Sequence, residues 1–231
     1  MFFFAFIPEI FLTISILFQL LTMTFIINNL KKNFPILIKE SAYQVLLIVL
    51  VTFSLVLINK IEVISFATIL TNNLGFNYLK LIILSLSAFL ALSILPALNL
   101  QKLNFYEFFT FFLLSVLSIM LIVSTQNLIF FYLSVELQTL CFYILAIFNR
   151  KSAFSTEAGV KYFLLSSFIS AFLLLGLSTF YAFLGTLSLY EICSFLIVGF
   201  LDPEITLVLS CASALIIVVL LFKLACAPFH F

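Results

Sequence analysis

Charge is what this sequence most lacks. Only 8% of its 231 residues are Asp, Glu, Lys or Arg, against about 25% in an ordinary soluble domain. That scarcity excludes a solvated globule of this length, because too little polar material exists to cover one. Tryptophan is absent and histidine occurs once. The four cysteines (Cys141, Cys193, Cys211 and Cys226) show no metal spacing, and three of them lie inside apolar runs, where a free cysteine packs as a small hydrophobe. No glycine-rich phosphate loop, no Cys/His cluster for haem or iron–sulfur, and no nucleophile–base pair is visible, so neither a cofactor nor a metal is expected in this chain. A net charge of +1 points to no nucleic-acid partner.

What is present is apolar: 65% hydrophobic residues, 32 of them phenylalanine, and a mean hydropathy of +1.38. Such a chain satisfies its backbone by spanning lipid as helices. The expected fold class is therefore all-α, a single polytopic transmembrane bundle over residues 1–231. A span needs about 20 apolar residues, and seven runs qualify: 2–29, 43–59, 79–98, 105–124, 127–148, 153–184 and 205–227. The polar stretch 61–78 reads as an exposed connection. Residues 188–203 read as a mixed loop with room for a short interfacial helix.

Basic residues fall unevenly on alternate connections. Lys31, Lys32, Lys39, Lys102, Arg150 and Lys151 lie on one side, whereas Lys60 and Lys80 lie on the other with Glu62, Glu191, Asp202 and Glu204. The positive-inside rule places the first group inside and the N-terminus outside. The N-terminus lacks both the Arg-rich pattern of a transit peptide and the short apolar core of a signal peptide. This fits a product made where it is inserted, or a bacterial one. The phenylalanine bias leans towards an organellar genome.

The chemistry rests with the few charges inside these runs. Glu136 lies about 13 Å into the fifth span, where a carboxylate costs about 2.5–3.5 kcal/mol to insert. It is either a protonated acid bonded to a nearby Ser or Tyr, or a proton-relay group whose affinity responds to burial and to neighbouring cations. Lys223 lies in the seventh span. It either snorkels to the inner surface or stands at a helix break, since Pro228 has no N–H to offer the carbonyl of Leu224. His230 beyond the break is either a proton-transfer group or a polar helix end. Glu157 and Lys161, four apart on one face of the sixth span, form either a local ion pair or, through Lys161, an approach from the inner solvent to Glu136. Glu9, beside Pro8, reads as an interfacial residue.

The runs Pro8-Glu9-Ile10, Tyr132-Leu133-Ser134-Val135-Glu136-Leu137-Gln138, Glu157-Ala158-Gly159-Val160-Lys161-Tyr162-Phe163-Leu164-Leu165-Ser166 and Phe222-Lys223-Leu224-Ala225-Cys226-Ala227-Pro228-Phe229-His230 resemble the subunit 2 family of respiratory complex I. This is one of the antiporter-like families of the NADH–quinone oxidoreductase membrane arm. The resemblance extends, more distantly, to Mrp-type cation/proton antiporters. It implies proton translocation driven by quinone reduction elsewhere in the complex, with Glu136, Lys223 and Lys161 matching the family's fifth-, seventh- and sixth-helix charges. It implies other membrane-arm subunits as partners, membrane lipids around them, and the mitochondrial inner membrane or a bacterial plasma membrane as location. Family members continue past Pro-Phe-His with an inverted repeat of about seven more helices. The expectation is therefore the first half of an antiporter-like fold, with the second half on another polypeptide or lost by truncation. Two other readings stand beside it: an independent Mrp-like antiporter component, and a scaffold of the membrane arm that moves no ions.

Overall fold

The computed structural model describes residues 5–30, 35–59, 63–66, 69–100, 106–150, 152–198 and 203–226. The elements in order are α1 (Ile7–Leu30), α2 (Pro35–Ile58), β1 (Val63–Phe66), β2 (Leu70–Asn72), α3 (Leu74–Leu100) and α4 (Glu107–Ser124). Then follow α5 (Leu128–Ala146), α6 (Ala153–Leu184), α7 (Leu189–Val198) and α8 (Pro203–Lys223). Among the described residues, seven of the eight helices are long and apolar enough to cross a membrane, α7 being the exception. They are apolar almost all round, the pattern of helices that face lipid on one side and one another on the other.

Local sequence sets several of the ends. Pro8, Pro35 and Pro203 each stand in or beside a first turn, where the missing N–H costs nothing. Asn127 caps α5 by accepting from the N–H of Ile129, and Ser152 caps α6 by accepting from Ser155. Gly185 closes α6 at φ 71°, a left-handed conformation that suits glycine.

The spans expected at 43–59 and 79–98 begin earlier, at Pro35 and Leu74. Lys39 and Glu40 therefore stand within a helix rather than ahead of it. A short helix does occupy the 188–203 connection, as α7. The polar stretch 61–78 is not simply exposed. It contains the antiparallel β1–β2 hairpin, pairing Val63 with Asn72 and Phe66 with Leu70. Thr71, Asn72 and Asn77 are buried, because they turn their polar groups into the bundle end rather than to solvent.

The helices form two groups. In the first, α1–α4 enclose a core that includes Leu12, Ile16, Val45, Val49, Leu84, Phe109, Leu113 and Met120. In the second, α5, α6 and α8 pack around Ile169, Leu173, Leu177, Phe180, Leu209, Ala212 and Val219. Helix α4 packs against α5 and so joins them. Close approach of α6 and α8 depends on Gly176, where a Cβ would lie 2.9 Å from the Ile216 side chain and 3.2 Å from the Ala212 carbonyl. Outward faces carry large apolar side chains, such as Leu17, Phe18 and Phe25 on α1, as a lipid-facing surface requires.

At one end of the bundle the connections are stitched by backbone hydrogen bonds. Gln126 N–H donates to the Ile69 carbonyl (2.8 Å), Leu128 N–H to Leu187 (3.0 Å) and Leu189 N–H to Gln126 (3.0 Å). Bridges pair Leu70 with Thr125 and Asn127 with Ser188. The hairpin, the α4–α5 turn and the α6–α7 turn thus form one seam, and α5 starts from it.

Candidate functional site: Glu136 and Lys223

Helix α5 carries Glu136 eight residues after Leu128, about 12 Å from the seam. Its neighbours Ser134 and Val135 are buried and the carboxyl itself is half-buried. One carboxyl oxygen, Oε2, is enclosed without a hydrogen-bond partner. No Ser or Tyr holds the carboxyl among the described residues, so the bonded, purely structural reading of this acid loses its basis.

Helix α8 ends immediately after the lysine. Ala225 N–H donates to Phe222 and Cys226 N–H to Leu221, with Ala225 in the left-handed region at φ 51°. That is the hydrogen-bond pattern of a Schellman termination. A residue with a Cβ pays about 1–2 kcal/mol to adopt the left-handed conformation, and strain of this kind concentrates at functional positions. The helix break expected just beyond Lys223 is therefore made at Leu224 and Ala225. Pro228 and His230 lie outside the described residues.

Lys223 is half-buried, and the Glu136 carboxylate acts on its ammonium through space. No N···O approach within 4.0 Å joins the two. Around them Tyr132 of α5 and Phe222 of α8 pack onto the shared core of Ile169, Leu173, Leu177 and Val219. The fifth-span acid and the seventh-span base thus stand on helices that share this core, within electrostatic reach but not in direct contact. Such an arrangement can exchange a proton with water and change the base's affinity by a small movement, because charge coupling in a poorly polarisable site is strong at short range.

Lys161 and Glu157 are placed differently. They form a 2.6 Å ion pair on the surface of α6, with side chains 69% and 61% exposed. Within the described residues they do not join Glu136 and Lys223. Next to them on α6, Leu165, Phe168, Ile169 and Phe172 form an apolar groove with Leu215, Val218, Val219 and Phe222 of α8.

A second charge pair corrects the reading of two residues. Glu9 is not interfacial and Lys80 is not a loop cation: Lys80 Nζ stands 2.5 Å from Glu9 Oε1, with side chains 1% and 6% exposed. Lys80 also donates to Asn72 Oδ1 at 3.4 Å. The extra turn of α3 that begins at Leu74 carries Lys80 inside the bundle, where only a buried acid balances it. The signal in the sequence was weaker than that of Glu136, because Lys80 is only the second residue of the apolar run 79–98.

Residues 125–231 match the family model described as NADH:quinone oxidoreductase/Mrp antiporter, TM. NADH-ubiquinone oxidoreductase chain 2 of Marchantia polymorpha is 36% identical over 99% of this chain and 47% of its own length. NADH-quinone oxidoreductase subunit N of Pelagibacter ubique is 32% identical over 96% of this chain and 45% of its own. A chain of respiratory complex I from Thermus thermophilus superposes with a TM-score of 0.72 at 23% identity, over 97% of this chain and 45% of that one. A chain of the membrane-bound sulfane sulfur reductase, an archaeal respiratory complex, superposes at 0.71 and 19% identity. This chain spans about half the length of the curated relatives it matches along its whole extent.

Proposed function

Because this chain belongs to the NADH:quinone oxidoreductase/Mrp antiporter family of membrane subunits, we propose that it is the proton-translocating first half of the oxidoreductase's chain 2. It is a multi-pass membrane protein of the antiporter-like type. The observation that carries the proposal is the pair Glu136–Lys223: an acid with an unpartnered carboxyl oxygen within electrostatic reach of a half-buried lysine at a helix end. Neither group stabilises the bundle by direct contact, so a purely scaffolding subunit gains nothing from keeping them. Lys161, whose present partner is Glu157, serves in this reading as the solvent-side approach to the pair. His230 is a further proton-transfer candidate close beyond Lys223 in sequence.

The remaining membrane-arm subunits are its partners. The second half of the fold, carried by this polypeptide or by another, covers the α6–α8 groove and the Glu157–Lys161 face. The mitochondrial inner membrane is the location that fits plant relatives of chain 2, with the N-terminus on the intermembrane-space side by the distribution of lysine and arginine.

Migration on a native gel tests this reading. The chain is expected in a large membrane complex that stains for NADH dehydrogenase activity, together with a polypeptide bearing the second half if that is separate. A chain that instead runs apart from that activity and supports sodium-dependent transport is an Mrp-type antiporter component.

A further inference from the structure

The mechanism above leaves Glu9 and Lys80 unused. They are more completely buried than Glu136 and Lys223, and they lie in the other group of helices. Glu9 begins the inward stripe of α1 formed by Glu9, Leu12, Ile16, Gln19 and Met23, all buried and spaced at alternating threes and fours. Glu9 Oε1 takes Lys80, whereas Glu9 Oε2 is enclosed with no partner. Gln19 stands ten residues further on, about 15 Å along the same face. It is 1% exposed, and both its Oε1 and its Nε2 lack partners. Buried Ser15 lies between them, its hydroxyl hydrogen given to the Leu12 carbonyl and its oxygen left as an acceptor.

A carboxylate oxygen needs a donor, and a primary amide needs a donor and an acceptor. The Leu, Ile and Met side chains of the stripe supply neither, and nor does lipid. Water supplies both and is the usual occupant of enclosed polar sites. Among the described residues, no other charged group of α1–α4 or the hairpin stands at this end. Lys39 and Glu40 open α2 and Glu107 opens α4 at the opposite end, and Tyr78 is exposed. Lys60 and Glu62 lie outside the described residues.

We propose that Glu9 and Lys80 form a second proton-exchange site, fed by water along the Ser15–Gln19 face of α1 and closed at the seam by Asn72. Its ligand is a proton carried by water. A proton arriving at Glu9 Oε2 converts the carboxylate to the acid and leaves Lys80 to Asn72 Oδ1. One proton then leaves Lys80 Nζ towards the hairpin, and transfer from the acid to the free amine restores the ionised pair. One proton enters for each that leaves. Asn72 belongs to β2, and the hairpin is bonded through Ile69 to Gln126, beside the cap of α5. The site thus adjoins the start of the helix that carries Glu136. The proposal rests on the proton-translocating reading only for its driving force.

The test uses the assembled complex in vesicles, with proton uptake measured against NADH oxidised over a range of pH. The variant is Glu9→Gln combined with Lys80→Gln, in which two amides keep a hydrogen bond but exchange no proton. The charge-swapped Glu9→Lys/Lys80→Glu keeps the pair and controls for assembly. The expected result is that the double amide variant assembles with a several-fold lower proton yield and an altered pH profile, that the swap recovers much of the yield, and that Glu9→Gln removes a carboxyl band from the infrared difference spectrum of the turning-over complex. A double amide variant with the native yield and pH profile overturns the proposal and leaves a static pin for the hairpin. So does failure of both double variants to assemble, or a difference spectrum with no Glu9 band. Native pumping in Glu136→Gln would instead defeat the reading of the first site and leave this one standing.

Discussion

Glu136→Gln is expected to leave the complex assembled while slowing proton transfer through this subunit by about 10²-fold, the scale on which a positioned acid–base group contributes, so that the proton yield per NADH falls by this subunit's share. The two halves of that expectation have separate causes. Assembly survives because no hydrogen bond or close ion pair of the carboxyl is broken: Oε2 has no partner and Lys223 is not in direct contact. The amide occupies the same volume between Val135 and Leu137. Pumping is expected to fail because Lys223 loses the carboxylate of Glu136, which acts on it through space, and with it the charge whose approach or withdrawal would alter the lysine's hold on a proton. Proton uptake by vesicles, normalised to NADH oxidation and to the amount of complex, measures both halves.

Lys80→Met is expected to act in the opposite way, on stability before activity. It removes the cation from a carboxyl that is almost fully enclosed, and breaking a buried pair from one side costs about 3–5 kcal/mol. The loss should read as little or no assembled complex on a native gel. Adding Glu9→Leu should restore much of it, since replacing both members of a buried pair by apolar residues is often neutral or stabilising. Lys80→Met at native abundance would mean that the Glu9–Lys80 pair contributes little to assembly. By contrast, breaking the exposed Glu157–Lys161 pair should cost little, as an i,i+4 surface pair contributes only about 0.3–0.5 kcal/mol.

These contrasts mark the boundary of what could be read from the chain itself. The seven spans were legible because long apolar runs admit few other structures in lipid, and Glu136 and Lys223 were legible because a charge inside such a run has no cheap explanation. Their placement about one core did not follow from any spacing, since it depends on how α5, α6 and α8 pack around Ile169 and Leu177. Glu9 and Lys80 escaped for a related reason. Each stands near the end of an apolar run, where position alone cannot separate a residue reaching for solvent from one turned inward. Their pairing spans 71 positions of sequence. The hairpin was hidden by its polarity: Thr71 and Asn72 look like loop residues, yet both are buried, and Asn72 offers Lys80 an oxygen. Lys161 kept its expected local partner, and its further role depends on what covers the α6 face.

The termination of α8 joins these observations to the mechanism. Ala225 in a left-handed conformation ends the helix two residues after Lys223, so the lysine sits at the negative end of the helix dipole. Its ammonium is thereby balanced by the helix end and by Glu136 together. In the proposed function, a small shift of α5 would change one of these influences and leave the other, allowing the lysine to release a proton and take one up again.

The most direct test is a double-mutant cycle on proton yield, comparing Glu136→Gln, Lys223→Met and the two combined in the assembled complex. If the residues work as one unit, each single change removes most of this subunit's share of the yield, and the combination removes no more than the worse of the two. Native yield in either single variant, or losses that simply add, would contradict the account.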